Sequence, residues 1–279
     1  MVSLKQNELD VLAPYRIPDL PPNFYYIPNF ITEEEEVSIL QKIPSQRWVT
    51  LSHRRLQAHP STLTANNTLL GAPLPAYLVK PIIESFKELG VFKITPHKEP
   101  NHVLINEYSK GEGIMPHEDG SAYAEVVATV SLGASICLEL SEKKPSEENK
   151  ELPVSSKEGE ASGGHEPFQG VHKASETAKG DSFQSASSDY KLPTRILQEP
   201  RSLLITTGPA YKNLLHGISP TDVDENLKVS TVANWHLLSE PDRFADGRNE
   251  RGTRVSLTYR DVLKVSSAAN KVLGAMKKK

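Results

Sequence analysis

Cysteine is almost absent: Cys137 is the only one in 279 residues. That excludes an intramolecular disulfide framework and any site built from several thiolates of one chain, and it fits a reducing intracellular compartment. Long apolar runs are missing too, none reaching the roughly 20 residues needed to cross a bilayer. The first thirty residues hold acidic side chains and five prolines where a leader would be basic and then apolar. The expectation is a soluble, unprocessed chain with no membrane partner. Charge of one sign is likewise lacking, since 32 Lys and Arg face 35 Asp and Glu for a net −3. No global basic field announces nucleic acid, so charge has to be read locally.

One stretch stands apart. Residues 141–190 carry ten acidic residues, six lysines and ten serines with few large apolar side chains, too little buried surface to offset the entropy of ordering. They read as a disordered acidic insertion with net charge −4 (six minus ten), which leaves the remainder of the chain at +1. The expected organisation is an N-terminal extension over 1–20, a catalytic domain over 21–265 interrupted by that insertion, and a basic C-terminal tail over 266–279.

Two helices are expected before the insertion. Thr32 opens TEEEEVSIL with Glu35 three residues on, a capping box. A second runs from Pro75 to Leu89, with Leu78, Ile82, Phe86 and Leu89 at helical spacing and Gly90 as terminator. From about Asn101 the apolar period becomes two, predicting strands over His102–Tyr108, through Val130–Leu140 as one run, and over Arg201–Thr207, Val229–Ser239 and Thr253–Val262. Helices followed by many short strands give an α+β class: a jelly-roll, or double-stranded β-helix, core buttressed by N-terminal helices.

Chemistry concentrates in four places. In MPHEDG, His117 and Asp119 lie two apart, so on extended backbone both point the same way and can share one metal ion, with His216 of NLLHGIS as third ligand. Two imidazoles and a carboxylate leave about three coordination positions open, which suits non-haem Fe(II) with a bidentate co-substrate and dioxygen, though zinc can use the same set. In RVSLTYR, Arg254, Ser256, Thr258 and Arg260 share one face and Val255, Leu257 and Tyr259 the other. If the apolar set packs against another layer, the arginines line a concave side and call for an anionic ligand, a dicarboxylate such as 2-oxoglutarate being read by a guanidinium fork. Asn106 and Tyr108 share a strand face ahead of the HxD turn and offer an amide and a phenol to the same cavity.

Together NxY, HxD, a distal His and RxSxxxR resemble, in order, the AlkB-like family of Fe(II)- and 2-oxoglutarate-dependent dioxygenases. The likeness spans most of residues 20–265 outside the insertion. It implies that His117, Asp119 and His216 bind iron, that Arg254 pairs with the distal carboxylate of 2-oxoglutarate, and that Arg260, Asn106 and Tyr108 hold its remaining oxygens. Family members usually carry Asn where this chain has Ser256, so one co-substrate contact there is shorter or bridged by water. The implied activity is oxidative demethylation of alkylated nucleic acid, RNA favoured over DNA, with Fe(II), 2-oxoglutarate and O2. The rival readings are a protein-directed dioxygenase, a non-catalytic reader of methylated RNA and, least favoured, a zinc hydrolase.

The local basic and aromatic surface expected to meet nucleic acid is QRWVTLSHRRLQAHP, with Arg47, Trp48, Arg54 and Arg55 flanked by His53 and His59, and Lys277–Lys279 as a basic tail. Arginines would contact phosphates and Trp48 would stack on a single-stranded or flipped-out base. A monomer resident in nucleus and cytoplasm is the accompanying expectation.

Overall fold

The computed structural model describes residues 10–18, 20–143, 192 and 194–266. The disordered insertion expected at 141–190 therefore lies outside the described residues from 144 onward apart from its flank, as do the basic tail beyond Ser266 and residues 1–9 of the extension.

The chain begins with β1 (Phe24–Ile27), helix α1 (Glu33–Lys42), β2 (Val49–Leu51), β3 (Arg54–His59), β4 (Thr68–Leu70) and the helices α2 (Ala76–Val79) and α3 (Ile82–Leu89). There follow β5 (His102–Tyr108), β6 (Ile114–His117), β7 (Tyr123–Gly133), β8 (Ile136–Glu142), β9 (Thr194–Gln198) and β10 (Leu203–Thr207). The last part holds α4 (Gly208–Asn213), β11 (Leu214–Ile218), β12 (Val223–Asp224), β13 (Asn249–Glu250), β14 (Arg254–Val262) and β15 (Lys264–Ser266). Seven strands form a major sheet in the order β1-β10-β7-β14-β5-β3-β2, and four form a minor sheet in the order β6-β11-β8-β9. Every pairing within these two sheets is antiparallel. This is the expected α+β jelly roll, with the N-terminal helices α1–α3 packed on one face of the major sheet.

Alternation assigns the faces. Val255, Leu257 and Tyr259 of β14 join Val103 and Ile105 of β5 and Val126, Ala128, Val130 and Leu132 of β7 in one buried cluster with Ile39, Leu78, Ile82 and Phe86 from the helices. The opposite parity of the same strands lines a cavity closed on its far side by the minor sheet. A second cluster, with Phe24, Tyr26, Leu140, Ile196 and Leu214, packs the sheets against each other and against the segment after β12.

The local signals for helix hold where capping chemistry is complete. Thr32 Oγ1 accepts from Glu35 N and the Glu35 carboxylate accepts from Thr32 N, the reciprocal box that starts α1. Gly90 closes α3 with φ 68°. The single helix expected over Pro75–Leu89 is instead two: Lys80 is extended (φ −108°, ψ 131°) ahead of Pro81, because proline offers no N–H and disfavours helical backbone at the residue before it.

Three further expectations are corrected. The run Val130–Leu140 is not one strand but the end of β7, a reversal and β8 in the other sheet. Gly133 turns there with φ 81°, and a Cβ on it would lie 2.5 Å from the Thr253 carbonyl oxygen; the apolar parity survives the turn, which hides it from a period count. Val229–Ser239 is not a strand but turns and a short 3-10 helix, Trp235–Leu237. Buried Asn234 takes the place of a ladder there, its amide accepting from Leu197 N (2.9 Å) and donating to Leu197 O (2.8 Å). The folded part also starts before residue 21, since Ile17 and Leu20 are fully buried beside Phe24, and β8 runs to Glu142, past the expected edge of the insertion at 141.

The β7–β8 reversal is fastened to α1. Buried Glu36 accepts from Gly133 N (2.7 Å) and from Arg201 Nη1 (3.1 Å). Glu36→Ala strands both donors, and a loss of about 2–4 kcal/mol is expected, to be read from urea unfolding; an unchanged midpoint would remove Glu36 from this role.

Candidate metal and co-substrate site

His117 ends β6 and His216 sits in the middle of β11, where the antiparallel register makes them direct cross-strand partners. Their rings lie 4.4 Å apart between centroids. The two strands approach closely because Gly217 follows His216: a Cβ there would come within 2.9 Å of Pro116 N. Asp119, two residues past His117, turns toward the same point, and one ligand atom from each of the three lies within 4.8 Å of the others.

The protonation states suit ligation. His117 Nδ1 donates to the Met115 carbonyl (2.9 Å), which leaves Nε2 with its lone pair toward the site. Burial, reinforced by His117 and Arg260 and opposed by Asp119, pushes His216 down to about 4, so its imidazole is neutral near pH 7. Asp119 Oδ1 accepts from Arg260 Nη2. Two imidazoles plus one carboxylate form a donor set that fits Fe(II).

Away from the triad the cavity, about 320 Å³, becomes a polar well. Its floor is built in cross-strand rows on β7, β14 and β5: Arg254 beside Tyr108, Ser256 between Ser131 and Asn106, Thr258 between Thr129 and Leu104, and Arg260 beside Val127 and His102. Arg254 is 3% exposed and forms no ion pair among the described residues. Its Nη2 donates to Ser131 Oγ (2.9 Å) and Gln198 Oε1 (3.0 Å), and its Nε has no partner. Burial pushes its pKa down to about 10. Arg260 Nε is also unpartnered, and the guanidinium rests 4.9 Å from the centre of the Tyr123 ring. Burial outweighs the nearby arginines in raising the Tyr108 phenol, which stays a donor. Two buried guanidiniums with spare donors beside a phenol, an amide and a hydroxyl fit a dicarboxylate.

Thus the structure brings His117, Asp119, His216, Asn106, Tyr108, Arg254, Ser256 and Arg260 to one cavity. The expected nucleic-acid residues are divided. Arg54 lines the cavity and donates from Nε to Asn106 Oδ1 (3.2 Å). Arg55, its neighbour, faces the other side of β3 and is clamped on Glu107 by two bonds of 2.6 and 2.9 Å. Trp48 lies under that guanidinium, 4.6 Å from it, and packs on the helix-side cluster. Arg47 is held by the Ala58 and Pro60 carbonyls and His59. Arg47, Trp48 and Arg55 therefore line no part of this cavity; strand parity separates adjacent arginines, and local partners take up the rest.

Several cavity residues were not anticipated. Ser131 and Tyr123 share the cavity parity of β7, a signal a strand-by-strand reading could have used. Tyr211 of α4 donates to the Gly120 carbonyl (3.0 Å), tying the turn that carries Asp119 to the element just ahead of His216. Gln198 ends β9 with no local signal at all.

The buried histidines behind the site carry a pH signature. Burial, then Arg47, lowers His59 to about 4, and burial, then Arg260, lowers His102 to about 4, both from 6.5. Between those values the unfolded chain binds protons that the folded one refuses, so the stability that neutral burial supplies near pH 7 is lost as pH falls through this window. The expected result is a unfolding midpoint in urea that declines from pH 7 to pH 4.5, with a shallower decline in His102→Phe; equal slopes would contradict the assignment.

Comparison with known proteins agrees with this chemistry. The sequence model of the 2OG-Fe(II) oxygenase superfamily matches residues 23–260. The chain is 35% identical over 271 residues to the probable RNA/DNA demethylase ALKBH6 of Danio rerio, across 96% of this chain and 97% of that one. It is 30% identical over 131 residues to the tRNA (carboxymethyluridine(34)-5-O)-methyltransferase alkbh8 of Xenopus tropicalis, a match over 44% of this chain and 20% of that protein. A solved oxidoreductase of the 2OG-Fe(II) oxygenase family from Burkholderia pseudomallei aligns with a TM-score of 0.46 at 10% identity, over 93% of this chain and 94% of that one.

Proposed function

The chain belongs to the 2OG-Fe(II) oxygenase superfamily and, within it, to the AlkB-like proteins, and from this we propose that it oxidatively removes a methyl or other small alkyl group from a base in nucleic acid, RNA ahead of DNA. The observation that carries the reading is the pairing, in one cavity, of a two-His, one-carboxylate cluster with the buried guanidinium of Arg254, which has no carboxylate partner among the described residues.

In this reading His117 Nε2, His216 and an Asp119 oxygen hold Fe(II). Arg254 takes the distal carboxylate of 2-oxoglutarate, and Asn106, Tyr108, Ser256 and Arg260 complete its pocket. When bound, iron, 2-oxoglutarate and dioxygen supply the oxidation of a substrate C–H bond, with succinate and carbon dioxide as co-products and formaldehyde released from an N-methyl group.

The protein's own work is placement. Met115 O fixes the His117 tautomer, and Arg260 aims the Asp119 carboxylate. Apolar side chains of the minor sheet, Leu138, Leu140 and Leu214, form the opposite wall and restrict water. At the lip Arg54 is the cation available to a phosphate or to the edge of an incoming base.

The test is anaerobic titration with Fe(II) and 2-oxoglutarate, followed by aerobic incubation with methylated RNA and DNA oligonucleotides and mass spectrometry of their nucleosides. Loss of a methyl group with stoichiometric succinate is expected, and His117→Ala is expected to abolish both iron binding and succinate formation. Turnover that modifies peptides while leaving every oligonucleotide intact would reassign the substrate to protein.

A further inference from the structure

The polar well has an unusual arrangement around Arg254. Gln198, 1% exposed at the end of β9, is the only side chain of the minor sheet's β9 that reaches the cavity wall. Its Oε1 accepts twice, from Arg254 Nη2 (3.0 Å) and from Ser131 Oγ (3.1 Å). Among the described residues its Nε2 has no hydrogen-bond acceptor. The neighbouring row position, Ser256, offers only a hydroxyl.

A neutral acceptor here has a specific consequence. It aims the guanidinium without cancelling its charge, so a fully buried cation is left waiting for an anion. A carboxylate in the same place would form a closed ion pair and repel any acid that entered. The amide nitrogen, in turn, is a donor on a side chain that lines the same cavity as Arg254.

We propose that Gln198 is a specificity-determining residue for the co-substrate: it orients Arg254 through Oε1 and donates from Nε2 to the distal carboxylate, so that a five-carbon 2-oxo diacid is selected over the 2-oxo monoacid of equal length. This rests on Arg254 being the carboxylate anchor, as set out above. It adds a ligand from the minor sheet to a pocket otherwise built on the major one.

The experiment compares 2-oxoglutarate with 2-oxovalerate, identical except for the distal carboxylate, by anaerobic calorimetric titration of the full chain with Fe(II), alongside thermal melting of each variant. Gln198→Leu is expected to weaken 2-oxoglutarate about tenfold, the size of one hydrogen bond to a charged group, and to leave 2-oxovalerate unchanged. Gln198→Glu is expected to melt at or above the parent temperature, because the new carboxylate pairs with Arg254, and yet to lose 2-oxoglutarate binding by more than about a hundredfold, as breaking a buried charge contact implies. Equal weakening of both acids, or an unchanged preference in either variant, overturns the proposal. Arg254→Met separates the two claims: if it erases the preference while Gln198 variants keep it, only the role of Gln198 fails, and if it too keeps the preference, the anchor assignment fails.

Discussion

The constraint on which the rest depends is the two-sided burial of β14. All nine residues from Arg254 to Val262 are buried, so the strand must satisfy two different environments at a spacing of two. Val255, Leu257 and Tyr259 meet the helices; Arg254, Ser256, Thr258 and Arg260 meet the cavity. A slip of one residue would press two guanidiniums into the apolar layer and turn Tyr259 into the well. Register is thus enforced by a large energetic penalty. It is enforced on β5 and β7 too, because their cavity rows are defined by pairing with β14. The position of Asn106, Tyr108, Ser131 and Thr129 follows from that one alignment.

The metal cluster uses a second sheet and a different device. Cross-strand pairing on β6 and β11 sets the two imidazoles side by side, but Asp119 lies past the end of β6, where no ladder holds it. Two bonds from outside the minor sheet do so instead: Arg260 on the Asp119 carboxylate and Tyr211 on the Gly120 carbonyl. Arg260 therefore links the register of the major sheet to the geometry of the cluster on the minor one, and a shift of β14 would be felt at the carboxylate ligand.

Much of this was legible in the sequence, and for identifiable reasons. Spacing alone puts His117 near Asp119 and puts Arg254 on the face of Arg260, since both follow from the period of a strand. The capping box at Thr32 is wholly local and so readable. What failed was long-range or parity-preserving. The reversal at Gly133 leaves the apolar alternation intact, so β7 and β8 read as one strand. Asn234 supplies strand-like bonds from a side chain, so an apolar run that looks like a strand is not one. In QRWVTLSHRRLQAHP, composition suggested a recognition surface, but Glu107 from another strand neutralises Arg55, and backbone carbonyls occupy Arg47. A linear reading cannot see those partners. Gln198 was silent for the same reason, its role existing only once β9 lies across from Arg254.

Charge balance gives a physical reason for metal and diacid to fill such a site together. In formal charge, Arg54, Arg254 and Arg260 against Glu118 and Asp119 leave the cavity lining with one positive charge in excess, the imidazole of His216 and the phenols of Tyr108 and Tyr211 being neutral. A divalent cation alone would raise that excess to three in a poorly hydrated space, and a dianion alone would invert it, each against a desolvation cost that grows with unpaired charge. Both together restore the starting balance, with opposite charges at bonding distance. Asp119 would hold Fe(II) while bonded to Arg260, whose unpartnered Nε would be free for an anion in the well. Arg260, paired with Asp119 and reaching into the well, is thus the side chain through which a bound metal and a bound diacid would act on each other.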